Sequence, residues 1–201
     1  MRNQIPRIAI FASGSGTNAQ NLIEYFRCAG TAEVVVIATN NPNAFVIQRA
    51  EKLQVAVCIF NRVQFYESGY VLDFLLENMV DFIVLAGFLW LIPITLIHSY
   101  NERILNIHPA LLPKYGGKGM YGDKVHKAVL ENNEIETGIT IHLVNQKFDE
   151  GRILFQAKTN ISGIRDVNRV AQKVHDLEYL HFPKVVEKYI LTFNEKLKVN
   201  T

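Results

Sequence analysis

The chain has 201 residues, of which 49% are hydrophobic and 20% charged, and its formal net charge is +2. These values are typical of a globular protein and exclude a disordered or fibrous chain, and so small a charge argues against a nucleic-acid-binding surface. The length suits one α/β domain better than two, so we expect a single domain over residues 1–201.

The first predicted element is a short apolar strand, Arg7 to Ala12, of the kind that is buried on both faces of a parallel sheet. It leads directly into the glycine-rich segment Ser13 to Asn18, after which apolar residues recur at helical spacing. A strand, a glycine-rich turn and a helix form the first unit of a nucleotide-binding type of fold, in which backbone N–H groups at the helix N-terminus bind phosphate. The segment lacks the third glycine of the dinucleotide fingerprint and the lysine of a P-loop, so a plain tight turn remains the alternative.

Two more strands are predicted next, each followed by a helix. Glu33 to Ala38 is an apolar run, a short helix is expected over residues 44–53, and Val55 to Ile59 is the third strand. A longer helical pattern then runs over residues 61–76. Arg62 lies at the junction between strand and helix, where ligands are contacted in this architecture, although a solvated charge at a helix start is the other interpretation.

The fourth predicted strand, Asp81 to Ala86, is followed by an apolar and aromatic segment, Gly87 to Pro93. Placed after the C-terminal end of a strand, this segment could line a pocket for a flat ring. Plain filling of the hydrophobic core is the competing interpretation. Residues 94–100 are predicted to form a short helix that leads into the next strand.

The fifth predicted strand begins at Ile104 and ends in an amide and an imidazole, Asn106 and His108, before Pro109 stops further strand pairing. Residues two apart in an extended segment point to the same side, so both side chains can face one pocket. The amide can donate a hydrogen bond to a developing oxyanion, and the imidazole can exchange a proton near neutral pH. In the alternative interpretation, both residues only cap the end of the strand.

A glycine-rich segment, Lys114 to Gly122, has no apolar periodicity and is predicted to be a flexible loop that covers a ligand. A short helix over residues 125–130 follows. Thr137 to Val144 alternates like a strand with one polar face, and it carries His142. This histidine is interpreted either as a support for the region of Asn106 and His108 or as a core histidine.

The turn-rich residues 145–151 join this strand to a further one, Ile153 to Lys158, as an antiparallel hairpin with Asp149 in its loop. A carboxylate in such a loop is most often a turn former. From Asp166 onward a helical pattern is expected to break at Pro183 and continue as a final helix. Together the elements predict a single-domain, Rossmann-like α/β fold: a mostly parallel twisted sheet of about seven strands, helices on both faces and an antiparallel hairpin at one edge.

The two cysteines, Cys28 and Cys58, are far apart, and no histidine or cysteine lies near them at metal-ligand spacing. They are interpreted as free buried thiols in a reducing compartment, and no metal site is expected. No segment approaches the roughly 18 uninterrupted apolar residues that a membrane-spanning helix needs. We therefore expect a cytoplasmic protein that has no membrane partner.

Several ordered motifs add a more specific signal: Ser13 to Asn18, Val84 to Phe88, Asn106 to Tyr115, Gly138 to His142, and Asp149 with Gly151. In this order and spacing the chain resembles the phosphoribosylglycinamide formyltransferases of the folate-dependent formyltransferase family over nearly its whole length. The resemblance implies formyl transfer from the co-substrate 10-formyltetrahydrofolate to the amine of N1-(5-phosphoribosyl)glycinamide in purine biosynthesis. It also implies that this reaction passes through a tetrahedral intermediate.

The same resemblance implies three catalytic residues. Asn106 would supply a neutral donor to the oxyanion. His108 in its protonated form would add a charge-assisted donor or protonate the departing folate nitrogen, and Asp149 would orient water and balance the imidazolium.

Binding residues are also implied by the resemblance. The substrate phosphate is expected on backbone groups of Gly16, Thr17 and Asn18, and the ribose hydroxyls on Glu178, near the start of the final helix. The folate pocket is expected to involve Arg62, Leu89, Trp90, Leu91, Ile92, Asn106 and Val144. Some members of the family have an arginine where Trp90 stands, so no guanidinium contact is implied there.

Three other functions remain open. A formyltransferase that acts on aminoacylated initiator tRNA shares the motif around Asn106 and His108, but we expect no room in this chain for its C-terminal RNA-binding domain. A formyltetrahydrofolate hydrolase usually has an additional N-terminal regulatory domain. A non-catalytic nucleotide-binding module would keep the glycine-rich turn and lose the chemistry. We expect small-molecule substrates, no nucleic acid, and a monomer or homodimer.

Overall fold

The structure is a computed structural model that describes residues 5–199, with side chains described up to Lys196, so six residues of the predicted domain lie outside it. Within that range seven strands form one sheet in the order β3-β2-β1-β4-β5-β6-β7. The strands are β1 (Arg7–Phe11), β2 (Glu33–Thr39), β3 (Ala56–Ile59), β4 (Phe82–Leu85), β5 (Ile104–His108), β6 (Glu136–Leu143) and β7 (Ile153–Asn160).

The sheet is mostly parallel, as predicted. Strands β1 to β5 pair in parallel, whereas β6 is antiparallel to both β5 and β7. The antiparallel part therefore begins at the β5–β6 pair, one strand further inside the sheet than the predicted hairpin. Strand β1 lies between β2 and β4, so the order of the strands reverses there. Ligands bind in the crevice at the C-terminal ends of strands at such a reversal.

Helices cover both faces of the sheet, also as predicted. They are α1 (Thr17–Ala29), α2 (Val46–Lys52), α3 (Arg62–Tyr66), α4 (Tyr70–Glu77), α5 (Ile94–Ser99), α6 (Asp123–Glu131) and α7 (Val167–Val199). Helices α1, α2, α6 and α7 share one hydrophobic core with the sheet, and α3, α4 and α5 share the other. Phe26 and Phe182 are almost completely buried in the first core, where each side chain contributes roughly 1.5–3 kcal/mol.

Two helix predictions were wrong. The pattern over residues 61–76 is divided into α3, which ends at Tyr66, and α4, whose N-cap is Gly69 in a left-handed conformation (φ +76°). The predicted break at Pro183 does not occur, and α7 is continuous through it. Proline removes only one hydrogen bond from the helix, and the buried side chains of Phe182 and Val186 hold the chain against the sheet on both sides.

Strand β6 was predicted to alternate with one polar face, and in the structure its polar residues are buried along with the apolar ones from Thr137 to Leu143. Its position between two other strands, with α7 packed on it, explains this burial. The cysteine prediction was half right: both thiols are free, and Cys58 is buried, but Cys28 is exposed near the end of α1. No helix within residues 5–199 is long and apolar enough to cross a membrane.

Candidate active site

A cavity of about 710 Å³ opens at the C-terminal ends of β1, β4 and β5, where the strand order reverses. The glycine-rich turn lines one side of it, and the loop over residues 117–123 lines another. A second cavity, of about 510 Å³, lies between β7 and the C-terminal half of α7 and is lined by none of the predicted site residues. The first cavity is therefore the candidate active site.

Most of the predicted site residues line this cavity. They are Gly16, Thr17, Asn18, Arg62, Leu89, Trp90, Leu91, Asn106, His108, Asp149 and Glu178. The two exceptions are Ile92, which is buried, and Val144, which is half-buried, and both pack in the core formed with α3, α4 and α5. Their positions in the core do not favour direct contact with a bound molecule.

Asn106, His108 and Asp149 meet at one end of the cavity. Both β5 side chains point toward the loop before β7, in which Asp149 has a left-handed backbone conformation (φ +57°). Asp149 Oδ1 is 3.4 Å from Asn106 Nδ2, and Oδ2 is 3.5 Å from His108 Nδ1. The backbone N–H of Gly117 also donates to Oδ2, at 2.9 Å. One carboxylate thus receives contacts from two strand residues and from the glycine-rich loop.

His142 fixes the orientation of the Asn106 amide. Strand β6 places His142 directly opposite Asn106, and its Nδ1 lies 2.8 Å from the carbonyl of Leu143. Because a carbonyl only accepts, Nδ1 carries the hydrogen, and the neutral ring presents Nε2 as an acceptor to Asn106 Nδ2 at 3.0 Å. One N–H of Asn106 is therefore firmly held by His142, while the other makes only the long contact with Asp149.

The imidazole of His108 lies between the carbonyl of Tyr115 and the carboxylate of Asp149. Its Nε2 lies 2.7 Å from the carbonyl of Tyr115 and must donate to it, so Nδ1 is left facing Asp149. Burial lowers the pKa of His108, although the Asp149 carboxylate and the Tyr115 carbonyl act in the opposite direction. Burial tends to raise the pKa of Asp149, but the neighbouring His108 and the hydrogen bond from the Gly117 N–H outweigh it, so the pKa is lowered. At neutral pH this gives an ionised carboxylate beside a mainly neutral imidazole.

The glycine-rich turn ends in an uncapped helix N-terminus. Helix α1 starts at Thr17, directly after Gly16 (φ +73°), and no side chain caps it. A Cβ atom on Gly16 would collide with the Val46 side chain, so the tight turn requires glycine at this position. Free N–H groups and the positive end of the helix dipole make this turn suitable for an anion such as phosphate.

Glu178 faces the same turn from α7. It was predicted to lie near the start of the final helix, but it lies about three turns into α7. Its carboxylate accepts a hydrogen bond from Asn18 Nδ2 at 2.8 Å and lies 3.0 Å from His175 Nδ1. The hydrogen bond to Glu178 raises the pKa of His175, against the opposing effect of burial.

Sequence reasoning missed several residues of the cavity. His175 and His126 both line it, and burial lowers the pKa of His126, whose Nδ1 has no hydrogen-bond partner. The spacing of His175 to Glu178, three residues on a helix, was a usable signal for a shared face. Tyr115 and Gly117 act through backbone atoms, so their side-chain types carry no such signal.

An aromatic wall with a guanidinium closes the other end of the cavity. Arg62 lies over the ring of Trp90, with Cζ 5.0 Å from the ring centroid, and Tyr66 stacks near the same ring with centroids 6.0 Å apart. The Tyr66 hydroxyl donates to the carbonyl of Leu91 at 3.0 Å. Since Leu89 is 44% exposed, the segment lines the cavity as well as filling the core. A flat apolar surface beside a cation suits a ligand with a ring and an acidic group.

Comparisons with known proteins agree with this geometry. The formyl transferase family profile matches residues 6–186. The chloroplastic phosphoribosylglycinamide formyltransferase of Arabidopsis thaliana is 38% identical over 90% of this chain. The match spans 64% of that protein, which is less than two thirds of its length. The Haemophilus influenzae phosphoribosylglycinamide formyltransferase is 32% identical over 90% of this chain and 85% of its own. The crystal structure of phosphoribosylglycinamide formyltransferase from Bacillus halodurans is 34% identical and superposes with a TM-score of 0.81, covering 90% of this chain and 94% of that one.

Proposed function

Because the chain belongs to the formyl transferase family, we propose that it transfers the formyl group of 10-formyltetrahydrofolate to the amine of glycinamide ribonucleotide, a step of purine biosynthesis. The observation that carries this proposal is the position of Asn106, His108 and Asp149 in the same cavity as an uncapped helix N-terminus. The relatives described above bear the name of this activity.

In the proposed reaction the amine attacks the formyl carbon, a C–N bond forms and the carbonyl oxygen becomes an oxyanion. The N–H of Asn106 that makes only a 3.4 Å contact with Asp149 is the one available to this oxygen. Loss of one such donor typically costs about 2.7–4 kcal/mol of transition-state stabilisation.

Proton transfer completes the step. The amine must lose one proton, and the folate nitrogen must gain one as its bond to the formyl carbon breaks. The step therefore neither releases nor takes up a proton overall. Ionised Asp149 accepts the proton through water, and the neutral His108, with Nδ1 3.5 Å from Asp149, takes it and delivers it to the leaving nitrogen. The lowered pKa of His108 fits a group that holds the proton only during turnover.

The remaining residues are proposed to bind the two substrates. Backbone N–H groups of Gly16, Thr17 and Asn18 hold the phosphate, and Glu178 accepts hydrogen bonds from the ribose hydroxyls. The folate ring system and its acidic tail lie along the wall formed by Arg62 and the residues Leu89, Trp90 and Leu91. Ile92 and Val144 support this wall from the core.

An assay with purified protein tests the proposal. Formation of tetrahydrofolate is followed with glycinamide ribonucleotide as acceptor, with initiator tRNA as acceptor, and without any acceptor, each with and without chelator. We expect turnover only with glycinamide ribonucleotide, unchanged by chelator, because the described residues contain no group of three side chains placed to hold a metal. Asp149→Asn serves as the inactive control.

The alternatives have distinct outcomes in this assay. Formate release without acceptor would identify a hydrolase, and transfer to tRNA a different formyltransferase. Binding of both small molecules without turnover would identify a non-catalytic module. We also propose that the protein acts in the cytoplasm as a monomer or homodimer on small molecules alone; sedimentation at several concentrations distinguishes the two oligomeric states.

A further inference from the structure

A row of three polar side chains crosses the antiparallel part of the sheet. His108 on β5 pairs directly with Thr140 on β6, and Thr140 pairs directly with Gln156 on β7. Directly paired residues project from the same face of a sheet, so the three side chains are neighbours. Of the three, only His108 lines the cavity.

Thr140 and Gln156 hold the loop that follows His108. The hydroxyl of Thr140, which is completely buried, donates to the carbonyl of Ala110 at 2.7 Å and accepts from the N–H of Leu112 at 3.0 Å. The amide Nε2 of Gln156 reaches in from the edge strand and donates to the Thr140 hydroxyl at 2.9 Å and to the carbonyl of Leu112 at 3.0 Å. Three hydrogen bonds thus fix the middle of this loop, and a fourth joins the two side chains that make them.

The far end of the same loop determines which nitrogen of His108 carries hydrogen. The chain leaves β5 at His108 and returns to it at Tyr115, whose carbonyl lies 2.7 Å from Nε2. This carbonyl selects the tautomer with hydrogen on Nε2 and leaves Nδ1 free to accept a proton on the side of Asp149. Without that contact the Asp149 carboxylate, 3.5 Å from Nδ1, would favour the tautomer with hydrogen on Nδ1, because a carboxylate only accepts.

We propose that Thr140 and Gln156 are positioning residues that fix the tautomer of His108, by holding the loop that carries the Tyr115 carbonyl. The catalytic consequence of this inference rests on the proposed function. With hydrogen on Nδ1, His108 could not accept a proton from Asp149, because the nitrogen that faces the carboxylate would already be protonated. In serine hydrolases of the Ser-His-Asp type, a wrong tautomer of the catalytic histidine lowers kcat by about 10⁴-fold.

Substitutions on β6 offer a matched set of variants. Thr140→Val keeps the shape of the side chain and removes the hydroxyl, whereas Thr140→Ser keeps the hydroxyl. Thr137→Val is the control, because Thr137 lies on the same strand and is equally buried, but its hydroxyl has no hydrogen-bond partner. Gln156→Leu is a milder test at an exposed position, where misfolding is not expected.

The first measurement needs no activity. Long-range ¹H–¹⁵N correlation spectra of histidine-labelled protein report which nitrogen of neutral His108 is protonated. We expect hydrogen on Nε2 in the unsubstituted protein, in Thr137→Val and in Thr140→Ser, and a mixture of tautomers in Thr140→Val. If Thr140→Val does not fold, Gln156→Leu is expected to show a smaller shift in the same direction. A pure Nε2 tautomer in the folded variants that lack the hydroxyl or the amide would overturn the proposal.

The second measurement is kinetic. We expect kcat of Thr140→Val to fall about tenfold or more with the KM values of both substrates nearly unchanged, which marks a loss confined to the transition state. Thr140→Ser and Thr137→Val should keep kcat. Inactivity of the unsubstituted protein would refute the proposed function while leaving the tautomer result valid, so the two failures are distinguishable.

Discussion

At the scale of single residues, the protonation state of His108 decides how the site works. Burial lowers the pKa of His108, so the imidazole is mainly neutral at pH 7, while the neighbouring Asp149 is ionised. The resemblance of the sequence to formyltransferases implied that His108 acts in its protonated form. The geometry favours a histidine that receives its proton from the reacting amine through Asp149 and then passes it on.

His108→Asn tests this role. The amide keeps a hydrogen-bond donor near Asp149 but cannot ionise, so we expect a folded protein that binds both substrates with nearly normal KM. General acid–base catalysis contributes about 10²–10⁴-fold, and kcat should fall within that range. Steady-state kinetics with each substrate varied in turn measures both parameters.

Asn106→Ala provides the comparison for that experiment. It should also lower kcat, and the double variant should lose less than the product of the two single losses, because both residues act on one tetrahedral intermediate. Near-normal kcat in His108→Asn would show that proton transfer is carried by Asp149 and water, with His108 serving only as an orienting group.

The sequence alone could assign to the site only those residues whose spacing within one element puts them on the same side. Asn106 and His108 follow from the period of two along one strand. Asp149 and Glu178 were placed only through the resemblance to a family, because they come from a hairpin loop and from the middle of a distant helix. The roles of Tyr115 and Gly117 depend on backbone atoms, which no side-chain pattern reports. Ile92 and Val144 were assigned to a pocket, but their apolar side chains pack in the core.

At the scale of elements, the loop over residues 115–122 is held to the site by few contacts. Gly117, Gly119 and Gly122 all have positive φ, and the Gly117 N–H makes a hydrogen bond to Asp149. The anchors at the start of the loop are the Tyr115 hydroxyl and Lys114, which both contact Glu134. Residues 117–122 therefore have little to hold them in one conformation without a ligand.

Hydrogen exchange tests whether this loop orders over the substrates. We expect the amides of residues 117–122 to exchange rapidly in the free protein and at least tenfold more slowly with a folate analogue bound, because closure buries them over the ligand. Amides within β1, at the centre of the sheet, are the internal control and should not change. Equally strong protection of the loop with and without the analogue would contradict the prediction.

Predictions of helices and strands succeeded where apolar residues form a continuous pattern and failed where a glycine or a proline interrupts that pattern. The buried strands have short, nearly continuous apolar runs bounded by turn residues, and this combination of length and flanking residues is typical of strands. Gly69 divides a helix because of its own backbone conformation, whereas Pro183 does not, because flanking residues are buried against the sheet. The outcome at Pro183 therefore depends on tertiary packing that the local sequence does not contain.

At the scale of the whole molecule, three histidines line one cavity and couple folding to pH: His108 and His126 are buried, and His175 is partly exposed. Burial lowers the pKa of His108 and of His126, whereas the hydrogen bond to Glu178 raises that of His175. At His108 and His126, the unfolded chain binds a proton more readily than the folded protein once the pH falls below the ordinary histidine pKa of about 6.5. Their contribution to stability is therefore present above that pH and is lost as pH falls toward the folded pKa. The contribution of His175 has the opposite sign: it is complete below about pH 6.5 and is lost as pH rises through the raised pKa.

We therefore predict that the free energy of unfolding decreases between about pH 6.5 and pH 5, and that His126→Gln reduces this decrease. Glutamine does not ionise in this range, and little is lost from the fold because Nδ1 of His126 has no hydrogen-bond partner. Urea denaturation at a series of pH values measures the effect, and the exposed His98→Gln on α5 is the matched control. A pH dependence that is the same in His126→Gln as in the unsubstituted protein would show that burial of this histidine does not contribute to the coupling between folding and pH.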